Sequence, residues 1–132
     1  MKNLLFCALI ISLFSSCLEK FDISKLNNTK WVLTEMKGST LPADSKATLN
    51  FGEGLKVGGK SFCNTYGGNV EVNEDKIYLK NLFGTKMFCE NTDAAERAYL
   101  SAVNNVNKAI IENNELKLFK DNEVLLVFKK TN

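Results

Sequence analysis

From Ala47 onward, apolar and polar residues alternate in short runs, and each run stops at a small polar turn. Ala47-Thr48-Leu49-Asn50-Phe51 has period two, and Leu55 and Val57 resume it after Gly52-Glu53-Gly54. Val70 and Val72 alternate with Glu71 and Asn73; Ile77 and Leu79 follow the Glu74-Asp75 turn. Ala109 to Glu112, Leu116 to Phe119 and Val124 to Phe128 are separated by Asn113-Asn114 and Asp121-Asn122. With the aromatic, β-branched run Trp31 to Met36, this predicts about eight short strands, joined antiparallel by tight turns. One stretch has helical spacing instead: residues 92–107 place Ala95, Tyr99, Ala102, Val103 and Val106 on one face. Asp93 followed by Glu96 imitates a capping box at its start. The expected core stripe of that helix is Tyr99, Val103 and Val106. The fold class is mainly β with one helix.

Composition narrows function more than fold. The chain of 132 residues suits one compact domain. Its 17 basic and 15 acidic residues leave a net charge of +2, which gives no electrostatic footprint for nucleic acid. It contains no histidine, and Arg97 is its one arginine. A Ser-His or Cys-His nucleophile pair, a histidine-ligated metal and an arginine cluster for phosphate are thereby excluded. No cofactor and no metal are expected.

The start of the chain is read as an address. Lys2 precedes the apolar run Leu4 to Phe14, and Ser15-Ser16-Cys17 follows. That run is shorter than the about 20 residues a membrane-spanning helix needs. It has the proportions of a secretory leader with small residues at the cleavage site. The cysteine directly after Ser15-Ser16 resembles a bacterial lipoprotein signal. The resemblance implies a signal peptide over residues 1–16, lipidation (a palmitate-type acyl anchor) at Cys17, and a short tether over residues 17–25. The domain is expected over residues 26–132. The implied location is the cell envelope, lipid-anchored, and Leu18 in place of a retention aspartate points to the outer rather than the inner membrane.

Cysteine counting depends on that address. Of Cys7, Cys17, Cys63 and Cys89, the first lies in the leader and the second carries lipid, which leaves Cys63 and Cys89. In a compartment where disulfides persist, an even remainder favours a Cys63–Cys89 bridge. Two separate buried thiols are the alternative. Two thiolates without histidine leave a zinc site half built.

The stretches KVGGKSFCNTYGGNVEV and KNLFGTKMFCENTDAAE, from Lys56 to Glu96, are distinctive. They resemble the META domain, the family that includes the heat-shock protein HslJ. The residues that match its motif are Gly59, Cys63, Asn64, Tyr66, Gly68, Thr85, Met87, Cys89 and Glu96. Phe62 and Phe88 stand where that family usually has a small residue. The resemblance implies a small lipocalin-like antiparallel barrel with one helix, in which Trp31 is similar to the tryptophan that plugs one end.

Each motif residue has a chemical and a structural reading. Asn64 and Tyr66 could form a polar recognition pair, but Asn64 suits a bend whose backbone groups need partners. Thr85-x-Met87-x-Cys89 places alternate residues on one face, with Met87 as core filler. Glu96 has no second acid in its motif and suits a helix start or another structural role. The expected protein is therefore non-enzymatic. By resemblance it is linked to envelope stress or drug tolerance and acts through contacts with another envelope protein. The alternative is a barrel that carries a small apolar ligand. An apolar cavity of at least ~300 Å³ favours the carrier; a filled interior with an exposed apolar patch favours protein contacts.

Overall fold

The computed structural model describes residues 21–132. Among these, the elements are β1 (Thr29–Met36), β2 (Thr48–Phe51), β3 (Lys56–Ser61), β4 (Asn64–Asn73), β5 (Lys76–Gly84), α1 (Asp93–Asn105), β6 (Lys108–Glu112), β7 (Glu115–Lys120) and β8 (Glu123–Thr131). The expected signal peptide over residues 1–16 and the lipidation site Cys17 lie outside the described residues.

The strands arise from the alternation. Thr29, Trp31 and Leu33 turn inward from β1, while Lys30 and Thr34 face solvent. Leu116 and Leu118 do the same from β7, and Ile77 and Leu79 from β5. The turns form where polar residues tolerate the left-handed region. Asn113 and Asn114 have φ of 51° and 61°, the pair of positive values that a two-residue hairpin turn requires. In the other two such hairpins only the first turn residue is positive, Glu74 (φ 56°) and Asp121 (φ 52°).

All eight strands lie in one antiparallel sheet in the order β5-β4-β3-β2-β1-β8-β7-β6. Register slips between Leu33 and Glu35, between Gly67 and Asn69, and between Leu118 and Phe119 bend the sheet. The expected closed barrel is not formed: β5 and β6 end the sheet and share no ladder. The two margins touch where the Ile77 N–H donates to the Asn107 carbonyl, at 3.1 Å. The connection between β5 and β6 is α1, which packs against β5, β3 and β8. A helix with side chains is about 10 Å wide, whereas paired strands sit about 4.8 Å apart, so a helix covering the gap replaces a ladder.

The interior is filled with side chains. Trp31, Leu49, Ile77, Leu116, Leu118, Leu126 and Phe128 are buried from the strands, and Tyr99, Val103 and Val106 from the helix segment, as its spacing predicted. Tyr99 meets Phe62, Tyr66 and Phe128 edge to face, with ring centroids 6.0, 5.8 and 6.4 Å apart. The Trp31 indole donates to the Thr29 hydroxyl (2.7 Å), which donates to the Leu26 carbonyl. The chain leading into β1 takes part in this packing. Asp22 caps a 3-10 turn over Ile23–Lys25, Phe21 and Ile23 lie on the core, and Leu26 is fully buried. No helix among the described residues is long and apolar enough to cross a membrane.

Candidate functional site

Ser61 and Asn64 close the β3–β4 hairpin. The Cys63 N–H returns to the Ser61 carbonyl (3.1 Å) across Phe62, whose φ is 73°. That conformation is costly for a bulky side chain. Burial of the Phe62 ring against Tyr99 offsets the cost. Glycine at this position would relieve the strain and lose the contact.

Cys63, on the outer corner of the turn, is bonded to Cys89, with Cα atoms 5.9 Å apart. The expected bridge is present, and it ties the turn to the segment before α1. Asn64, facing inward, has every polar group engaged. Its Nδ2 donates to Glu96 Oε1 (2.6 Å) and to the Met87 carbonyl (2.9 Å). Its Oδ1 accepts from the Thr85 hydroxyl (2.9 Å) and the Met87 N–H (2.8 Å). The carboxamide thus stands in for a backbone amide and extends the pairing beyond the last residue of β5.

Glu96 completes the cluster from α1. The Asp93–Glu96 spacing predicts a capping box, but the Glu96 side chain does not reach back to the helix start. The helix begins at Thr92 without a side-chain cap, and Asp93 pairs with Arg97 at 2.9 Å. Glu96 is 8% exposed and points into the β3–β4 turn. Its Oε2 accepts from the Ser61 hydroxyl (2.7 Å) and the Asn64 N–H (2.8 Å). Burial opposes the charge of this carboxyl. The Asn64 N–H, Ser61 hydroxyl, Asn64 amide and Cys63 N–H outweigh burial and hold it below its ordinary value. The group is a fixed anion with a structural task.

Tyr66 sits beneath the cluster. Its hydroxyl donates to the Thr48 carbonyl (2.8 Å) and lies 2.7 Å from that of Tyr99. Burial pushes both phenols well above the usual range, so neither is a base at neutral pH. Two motif glycines are explained by close approach. A Cβ on Gly59 would overlap the Thr48 carbonyl, and one on Gly68 would lie 2.6 Å from Leu82 Cδ2 and 2.7 Å from the Lys80 carbonyl.

Met87 is not core filler. The segment from Thr85 to Cys89 belongs to no strand, and Met87 is 62% exposed. Its backbone, gripped by Asn64, is what the cluster uses; the side chain projects outward. Phe88 (75% exposed) and Phe83 (73%) project beside it. Phe83 lies over Gly67, where a Cβ would sit 3.1 Å from the ring. These residues rim a cleft of about 450 Å³ between the end of β5 and α1, with Asn64, Tyr66, Glu96 and Leu100 also lining it. Sequence reasoning missed Ser61 and Phe83. A signal for Phe83 exists: Leu82 and Phe83 are adjacent and apolar, so in an extended chain one must face outward. Among the described residues no group of three or more cysteine, aspartate or glutamate side chains is placed to hold a metal.

Of the motif residues, Cys63, Asn64, Thr85, Met87, Cys89 and Glu96 form one connected clamp, while Gly59, Tyr66 and Gly68 serve the packing of the neighbouring strands. The META domain family model matches residues 24–132. The chain belongs to the META domain family. A protein from Burkholderia xenovorans whose structure was solved by NMR is 25% identical. It aligns with a TM-score of 0.68 over 83% of this chain and 86% of its own. A second NMR structure is 20% identical, with a TM-score of 0.66 over 83% of this chain and 94% of its own. Both share the fold. No match is found among curated proteins. Within this META domain the motif builds the end of the sheet at which the apolar rim is displayed.

Proposed function

We propose that this META domain protein is a lipid-anchored component of the bacterial cell envelope that acts without catalysis, by docking another envelope protein. The observation that carries the reading is the rim of Phe83, Met87 and Phe88. Three large apolar side chains stand exposed on a segment held by a disulfide and by the Asn64–Glu96 cluster. Exposed apolar groups on a rigid frame mark an interaction surface, because no gain in folding stability keeps them there. The interior is occupied by Trp31, Tyr99 and Phe128, and the cleft of about 450 Å³ is open to the outside. This supports docking over the carrier of a small apolar ligand.

Acylation at Cys17 would hold the protein on the membrane, with the outer membrane favoured over the inner by Leu18. The link to envelope stress or drug tolerance comes from the resemblance to HslJ. In a strain lacking the gene, Phe83→Ser combined with Phe88→Ser should fail to restore stress or drug tolerance, although the protein accumulates and melts as the wild type does. Full restoration would overturn the docking surface. Cys17→Ser should move the protein from the membrane to the soluble fraction, and unchanged fractionation would overturn the anchor.

A further inference from the structure

Beyond the end of β5 the chain keeps a strand's alternation although it has left the sheet. The Thr85 N–H donates to the Thr65 carbonyl at 3.0 Å. The Met87 N–H and carbonyl both bond to the Asn64 carboxamide. The Thr85 N–H and both backbone groups of Met87 therefore face β4, and the Thr65 N–H donates to the Thr85 hydroxyl at 3.2 Å. In an extended chain the residues between them face the other way. Gly84 is opposite Tyr66 in the ladder, at the pair that exchanges no hydrogen bonds, and its N–H and carbonyl point away from β4. Lys86 continues that direction, and its backbone groups bond to nothing else among the described residues.

This free edge forms one wall of the cleft, and α1, with Asp93, Glu96, Leu100 and Asn104, forms the other. Nearer the start of β5 the margin already accepts a passing chain, where Ile77 bonds to Asn107. Among the described residues, the end beyond Leu82 has no such occupant. An unpaired strand edge is a template for another strand. Strand addition to such an edge is a common mode of peptide recognition.

We propose that the Gly84–Lys86 edge receives an extended segment of the partner protein as an added strand, apolar at alternate positions. The added segment would exchange N–H and carbonyl bonds with Gly84 and Lys86 and lay its apolar side chains against Phe83 and Met87, which share one face of the extended segment. This names the binding mode of the docking surface and rests on that reading. A proline facing the edge is excluded, because it carries no N–H.

The test uses the mature, disulfide-intact protein and a displayed random dodecapeptide library. The best enriched peptide is synthesised in two forms, N-methylated on one or the other set of alternate amides. Methylation of the edge-facing set should weaken binding roughly tenfold, the loss of about two backbone hydrogen bonds. Methylation of the other set should change affinity less than about twofold. Amide exchange at Gly84 and Lys86 should slow in the complex. Equal affinity of the two forms, with binding abolished by Phe83→Ser and Phe88→Ser, would sink strand addition and leave the docking surface standing. If no peptide is enriched over that double variant, both readings fail. Self-association blocked by the enriched peptide would assign the edge to a second copy of this chain and overturn the proposal.

Discussion

The carboxamide of Asn64 grips the peptide backbone of Met87 from both sides. Its oxygen takes the Met87 N–H at 2.8 Å and its nitrogen donates to the Met87 carbonyl at 2.9 Å. The same nitrogen reaches Glu96 at 2.6 Å. One side chain therefore joins the β3–β4 hairpin, the segment after β5 and the first turns of α1. The bond to Glu96 is buried and the two bonds to the Met87 backbone are part-buried.

Asn64→Asp replaces the donor with an oxygen facing Glu96 and the Met87 carbonyl. At neutral pH this should lower unfolding free energy by about 3 kcal/mol or more, the scale of an uncompensated buried charge. Asn64→Ala should cost about as much as two orphaned hydrogen-bonding groups, roughly 2–4 kcal/mol. Urea unfolding of both variants checks the order. The deficit of Asn64→Asp should shrink on mild acidification.

Glu96 sets part of the acid response. Its folded carboxyl is held below the ordinary value of 4.5, so the unfolded chain binds its proton first. Its contribution to stability is fully present above that value. It is lost as pH falls through it and then through the lower folded value. Glu96→Gln should be less stable at neutral pH and should show a shallower fall of stability below pH ~4.5. Denaturation midpoints across that range test this; parallel curves for the two proteins would contradict it.

The Cys63–Cys89 bond closes a loop with a sequence separation of 26. In the chain-entropy model that contributes about 3.5 kcal/mol. Replacing both cysteines with serine should lower Tm by about 10–20 °C in a domain of this size. Met87 should remain anchored through Asn64, so its amide should stay protected in hydrogen exchange relative to Lys86.

Tyr99 separates packing from hydrogen bonding. Tyr99→Phe keeps the ring contacts with Phe62, Tyr66 and Phe128, and removes a hydroxyl shared with Tyr66 and the Thr48 carbonyl. It should cost about 1 kcal/mol. Tyr99→Ala leaves a void at the centre and should cost about 3–5 kcal/mol. Thermal unfolding of the pair distinguishes the two contributions.

The strands and the helix were legible because each is a local pattern with one buried side. Period two placed Leu116 and Leu118 inside, and helical spacing placed Tyr99, Val103 and Val106 on one face. The same logic failed at Met87. Alternation says which residues share a side, but burial of that side depends on whether another element covers it. The chain leaves the sheet at Gly84, no described residue covers the outer side of the following segment, and Met87 there is exposed. Glu96 failed for a related reason. Its spacing from Asp93 fits a cap, yet Ser61 and Asn64 offered three donors within 2.8 Å.

By itself, the sequence determined an antiparallel mainly-β chain with one helix and the turn positions, and it favoured a Cys63–Cys89 bridge without deciding it. These follow from short-range periodicity, turn chemistry and cysteine count, which need no knowledge of distant contacts. Only the tertiary structure decided that the sheet stays open between β5 and β6, that Asn64 gathers Thr85, Met87 and Glu96, and that Phe83, Met87 and Phe88 end up outside. Each of those depends on segments at least about twenty residues apart meeting in space, where the bulk of a packed helix and the supply of buried donors override local preference.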